Sequence, residues 1–162
     1  MLRRALVTAA LLGALAAPAF ALAAGANLLK VLAGPIASAK EHGLKVLVPS
    51  TINPHAAHVY GSGTASLKGY DIQLADAPNC GDADACFVAD FLGNPGKVTL
   101  KPHVSLAHGI IGGYHPVSCG ASCAPATIEW KEFGMLYTIQ DAGGTKAGMA
   151  GLANSAITAG PR

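Results

Sequence analysis

The sequence is short of charge. Only 12% of its 162 residues are Asp, Glu, Lys or Arg, 6% are Phe, Trp or Tyr, and there is a single Trp. An excess of either sign is also missing. There are 11 basic and 9 acidic residues, and Arg3 and Arg4 lie in a segment read below as a cleaved leader, which leaves nine of each. A balanced chain offers no basic face and gives no support to nucleic acid as a partner. After the first 24 residues no apolar run is long enough to span a bilayer. The catalytic signatures G-x-S-x-G, H-E-x-x-H and the phosphate-cradling glycine loop are absent. No cysteine precedes Cys80, which argues against a lipid anchor at the N-terminus. Low charge does not signal disorder here, because 51% of the residues are hydrophobic.

What is present begins with "MLRRALVTAALLGALAAPAFALAA", residues 1–24. Two arginines precede an apolar stretch from Ala5 to Ala17, and small residues close the segment, the pattern of a secretory signal. Residues 25–162 then form one secreted domain, expected to be periplasmic or extracellular, monomeric, and without a membrane span once the signal is removed. Four cysteines in an exported chain imply two disulfides with three connectivities open. Local pairing is the first choice, since short glycine-containing stretches separate Cys80 from Cys86 and Cys119 from Cys123.

Along the chain, "NLLKVLAGPIASAKEHG" has helical periodicity, with Asn27 as cap, a break at Gly34-Pro35 and a stop at Gly43. "LKVLVPSTI" reads as a strand, as do "GYDIQLAD" and "CFVADFLG". "GSG" at 61–63 reads as a flexible turn, and further turns are expected at Gly109 and Gly112-Gly113. "TIEWKEFGMLYTIQD" reads as a hairpin turning at about Glu132 to Gly134, and "TKAGMAGLANSAITAG" as a closing helix. Short connections between many strands predict antiparallel pairing. The fold class expected is α+β: a twisted antiparallel sheet with the N- and C-terminal helices on one face and two disulfides.

The stretches "AKEHGLKVLVPSTI", "IEWKEFGMLYTI" and "MAGLANSAI" resemble a pattern in small exported bacterial α+β domains of unknown function. The resemblance implies a helix, a "v.vP" strand, a "W...g..Y.i" hairpin and a C-terminal helix. It implies no catalytic residues.

The chemistry-bearing residues leave several readings open. Cys119 and Cys123, with His115 beside them, form a C-x-x-x-C stretch that resembles the copper-binding segment of exported Sco-type chaperones. A periplasmic copper-handling protein is therefore one alternative. Asp76, Asp82, Asp84 and Asp90 make one region acidic, and Asp82 with Asp84 could contribute to a calcium site. His55-x-x-His58 reads as loop histidines. A small hydrolase is the other alternative, built from Ser118 or Ser122 with a histidine, or from Glu129 and Glu132. Glu129 alternates with Ile128 and Trp130 and is expected to face solvent. Trp130, Tyr137 and Tyr114 are expected in the core or on a sheet face. The functional alternative for these three aromatics is a ligand groove on the helix-free face of the sheet. The main reading is a non-enzymatic binding or structural domain at the cell envelope, with no cofactor and with an envelope or protein partner.

Overall fold

The computed structural model describes residues 25–54, 56–80 and 84–162, with the main chain alone at Asp84. The signal segment 1–24 lies outside the described residues. Two short helices follow one another, α1 (Leu28–Val31) and α2 (Ala33–Glu41), and a third, α3 (Lys146–Ala159), comes last. The strands are β1 (Ala26–Asn27), β2 (Thr51–Ile52), β3 (Tyr60–Ser66), β4 (Gly69–Ala75), β5 (Phe87–Asn94), β6 (His103–Ser105), β7 (Ile111–His115), β8 (Ser118–Cys119), β9 (Cys123–Ala124), β10 (Ala126–Glu132) and β11 (Met135–Asp141). Seven of them form one antiparallel sheet in the order β3-β4-β5-β11-β10-β7-β6. The α+β class and the antiparallel sheet agree with the sequence reading.

Period-two alternation builds one apolar face. Ile72, Phe91, Ile139 and Ile128 form a row across β4, β5, β11 and β10, and all are buried. The helices cover this face. Leu28, Leu32, Ile36 and Ala39 are buried along α1 and α2, and Met149, Ala153, Ala156 and Ile157 on α3. Asn27 caps α1 by accepting from the Lys30 N–H, and Thr145 caps α3 by accepting from the Gly148 N–H. The break between α1 and α2 falls at Leu32, so Gly34-Pro35 sits in the first turn of α2 and not at the break. A proline is tolerated there because a first-turn N–H has no helical acceptor.

Two expected turns are strand. Gly61 and Gly63 lie within β3, paired with Leu74 and Ile72. Glycine is needed there for close approach, since a Cβ on Gly61 would stand 2.5 Å from the Leu32 side chain and one on Gly63 would stand 3.1 Å from Pro35. Gly112 and Gly113 likewise lie within β7. Gly109 does turn, with φ +74°, and the β10-β11 hairpin turns at Phe133-Gly134, both with positive φ.

"LKVLV" is the larger correction. Leu44 to Pro49 joins no strand, and only Thr51–Ile52 pairs, with β1. Yet Val46, Leu47 and Val48 are buried. Side chains take the place of a neighbouring strand. The Tyr70 hydroxyl accepts from the Leu47 N–H at 3.1 Å and donates to the Leu47 carbonyl at 3.4 Å. The Tyr137 hydroxyl donates to the Lys45 carbonyl at 2.8 Å. The Arg162 N–H donates to Val46 O, and its guanidinium to Val48 O and Ser50 Oγ. Tyr70 and Tyr137 flank Gly93 in one row, and the absent side chain of Gly93 makes room for the Tyr70 ring. Trp130 stacks on Tyr137 with centroids 5.6 Å apart.

The opposite face is divided by the β5-to-β6 connection, residues 95–102, which crosses over β11, β10 and β7 to the far edge. Gly113 has no side chain where the Leu100 carbonyl passes. Glu129, on the same face, accepts the N–H groups of both Thr99 and Leu100. The expectation that Glu129 faces solvent is therefore wrong: it is 6% exposed. Its strand position points away from the helices, as alternation predicts, but the crossing loop covers it.

Two outcomes are expected. Glu129→Ala leaves two covered N–H groups without an acceptor and should cost about 2–4 kcal/mol, against a smaller loss for Glu129→Gln, read from urea midpoints at constant slope. A loss below about 0.5 kcal/mol for the alanine variant, the size typical of an exposed position, would contradict the clasp. The second concerns pH. Burial raises the Tyr70 phenol far above its ordinary value, and burial together with the nearby Glu132 pushes Tyr137 up from 10 to about 12. The folded-state values lie above the unfolded one, so this stabilisation is complete below pH 10 and is lost as pH rises toward 12. Melting temperature should fall over that window, and less steeply in Tyr137→Phe.

A cleft between the helix-free sheet face and a disulfide hairpin

The crossing loop covers only part of the helix-free face. On the open part the register sets a polar row: Gln73 on β4, Asp90 on β5, Gln140 on β11, Thr127 on β10 and His115 on β7. Gln73, Asp90, Gln140 and Thr127 are half-buried, and His115 is exposed. The row continues the alternation that buries Ile72, Phe91 and Ile139 on the other side.

A small ribbon borders this row. The connection between β7 and β10 contains the β8-β9 ribbon, in which Cys119 pairs with Cys123. The Gly120 N–H donates to Ser122 O at 2.8 Å and tightens the turn. The Cys119 and Cys123 sulfurs lie 2.09 Å apart, and those of Cys80 and Cys86 lie 1.91 Å apart. Both pairs thus stand at disulfide distance in the local pairing. Between the ribbon and the sheet is a cleft of about 340 Å³ lined by Gln73, Asp90 and Gln140 of the row, by Cys123, Ala124 and Pro125, and by Phe87 and Ala142. A smaller hollow of about 100 Å³ shares Phe87 and Ala142 and reaches Asp76 and Asp141. The second cysteine pair ends at Cys86, directly before Phe87 of the lining, while Cys123 of the first pair is itself in the lining.

The residues singled out in the sequence are dispersed around this arrangement. Asp90 is in the lining, while Asp76 is exposed beside the smaller hollow. Asp82 and His55 lie outside the described residues, and Asp84 contributes main chain to a 3-10 turn, Asp84–Cys86. Among the described residues no three His, Cys, Asp or Glu side chains converge on a cation position. With its sulfurs paired, the C-x-x-x-C stretch presents no thiolate to a soft metal. Ser118 and Ser122 are exposed on the ribbon, and Glu129 is engaged by the crossing loop. Trp130, Tyr137 and Tyr114 are buried on the apolar side of the sheet or among its strands. Sequence reading missed Gln73 and Gln140 as site residues. Each sits at a polar position in an alternating strand, but their union across β5 depends on a pairing between β5 and β11 that local pattern does not carry.

No protein-family model, curated protein or solved structure matches the chain. Among the described residues no helix is long and apolar enough to cross a membrane.

Replacing Cys119 and Cys123 together by serine should lower stability by about 2 kcal/mol, the chain-entropy value for so short a loop, without changing the dependence of unfolding on denaturant. A loss nearer to about 5 kcal/mol would indicate that the ribbon holds far more than its own turn.

Proposed function

We propose that the protein is an exported, non-enzymatic binding domain of the cell envelope whose cleft takes a small neutral polyhydroxylated ligand, a saccharide unit or a short oligosaccharide. The observation that carries this reading is the composition of the cleft. Two carboxamides flank a carboxylate in the polar row, supplying donors and acceptors to hydroxyl groups. Phe87, Pro125 and the alanines supply apolar surface for the C–H faces of a sugar ring. Among the described residues no Lys or Arg lines the cleft, and Asp90 disfavours an anion. The volume falls at the small end of the range of ligand sites. Binding is favoured over hydrolysis because glycoside cleavage requires two carboxyl groups across the scissile bond, and among the described residues the cleft lining holds one. The paired cysteines fit an oxidising compartment.

The test is calorimetry and ligand-observed NMR with a panel of neutral mono- and disaccharides. At least one should bind, and Gln73→Ala with Gln140→Ala should weaken it roughly tenfold or more while leaving the fold intact. If no neutral saccharide binds, or if the double variant binds as well as the parent, the reading fails.

A further inference from the structure

The two edges of the sheet are unlike. β6 is three residues long and is entered directly from Pro102. β3 is seven residues long and pairs with β4 in unbroken register from Tyr60 to Ser66. Natural sheets protect their edges by shortness, proline, charge or a bulge. β6 has the first two. β3 contains neither proline nor any charged residue, and the register shift at Leu74/Ala75 affects the β4-β5 pairing, not this one.

The outward groups can be assigned. The turn between β3 and β4 is the two residues Leu67-Lys68, so Ser66 and Gly69 exchange hydrogen bonds, and Thr64, Ser62 and Tyr60 follow at every second position. The main-chain N–H and C=O groups of Gly61, Gly63 and Ala65 then point away from the sheet. Among the described residues, no backbone hydrogen bond from another element reaches these three. Helix α2 and its approach lie against the apolar face of β3, through Leu32 at Gly61 and Pro35 at Gly63, and stiffen the strand.

We propose that β3 is a dimerisation edge and that its occupant is β3 of a second copy of this chain, antiparallel about a two-fold axis at Gly63. This register pairs Gly63 with Gly63 and Gly61 with Ala65, engaging all three outward residues of each copy; centring on Ser62 or Thr64 would leave one of them without a partner in β3, and centring on Gly61 or Ala65 would leave two. It sets Ser62 opposite Thr64 and Tyr60 opposite Ser66 on the helix-free face. It also carries the two exposed large side chains at the ends of this strand toward each other: Leu67, 82% exposed, reaches the end of the partner strand at Val59 and Tyr60, the latter 43% exposed. No charged residue opposes another between positions 60 and 66. The contact is isologous and closes on itself, giving one continuous sheet through two copies and no further growth. It replaces the monomer expected from the sequence and is independent of what the cleft binds.

Sedimentation equilibrium of the purified chain over a range of concentrations tests the proposal. The parent should be a dimer that dissociates on dilution. The double variant Ser62→Lys, Thr64→Lys puts like charges opposite each other across the axis and should weaken the dimer roughly tenfold or more. The variant Ser62→Lys, Thr64→Glu sets the new ammonium of each copy opposite the new carboxylate of the other in this register alone, and should restore it. Leu67→Asp, at a solvent-facing turn position, carries the same expectation as the lysine pair and decides the matter if that pair disturbs folding. A parent that stays monomeric up to about 1 mM, or a dimer indifferent to all three variants, overturns the assignment.

Discussion

The architecture depends on how a buried stretch of main chain without a strand partner is satisfied. Residues 45–48 run through the core with Val46, Leu47 and Val48 inaccessible, and their polar groups would each cost free energy comparable to a lost hydrogen bond if left bare. Tyr70 and Tyr137 stand on either side of Gly93 and raise their hydroxyls to Leu47 and Lys45, while Arg162 supplies donors to Val46 and Val48. The first helical pair, the middle of the sheet and the segment after α3 are joined at one place. The same requirement explains why two tyrosines occupy core positions where phenylalanine would pack equally well: each hydroxyl has a carbonyl to serve.

A similar economy shapes the other face. A chain that must cross from β5 to the far edge has to lie on one side of the sheet, and here the helices already fill the apolar side. It passes instead over Gly113 and is fastened by Glu129. That choice leaves the row Gln73, Asp90, Gln140 uncovered by the crossing loop, and Cys123 and Ala124 of the β8-β9 ribbon share the cleft with it. The cleft is thus a remainder of the topology: it lies where neither the helices nor the crossing loop reach.

Local signals foretold local structure. The caps at Asn27 and Thr145, the β10-β11 hairpin and the alternation along β4 are legible because the residues that decide them are sequence neighbours. The failures share one cause. "LKVLV" has strand composition but no strand partner, because tyrosine hydroxyls 23 and 92 positions away satisfy it. Gly61, Gly63, Gly112 and Gly113 look like turns but admit a helix, a leucine side chain or a crossing carbonyl from elsewhere in the chain. Glu129 has the alternation of a surface residue and is covered by a loop from about thirty residues earlier. In each case the deciding contact is long-range, and composition cannot announce it.

The placement of the cysteines follows from the same division of the molecule. Wherever the chain packs between sheet and helices, apolar burial orders it, and no cysteine is found there. One pair ends directly before Phe87 of the cleft lining and the other contributes Cys123 to it. A six-residue or four-residue separation closes too small a loop to restrain the unfolded chain as strongly as a long crossed bridge would. What the Cys119–Cys123 bridge does is fix the shape of a ribbon whose residues 118–124 are exposed and lack core contacts. Under the binding role proposed for the cleft, that shape is what a ligand would meet, and holding it in advance would remove part of the ordering cost of binding. Global stability alone would favour a crossed pairing of the four cysteines; the proposed binding role, which would gain from a preformed rim, favours the local pairing that the structure has.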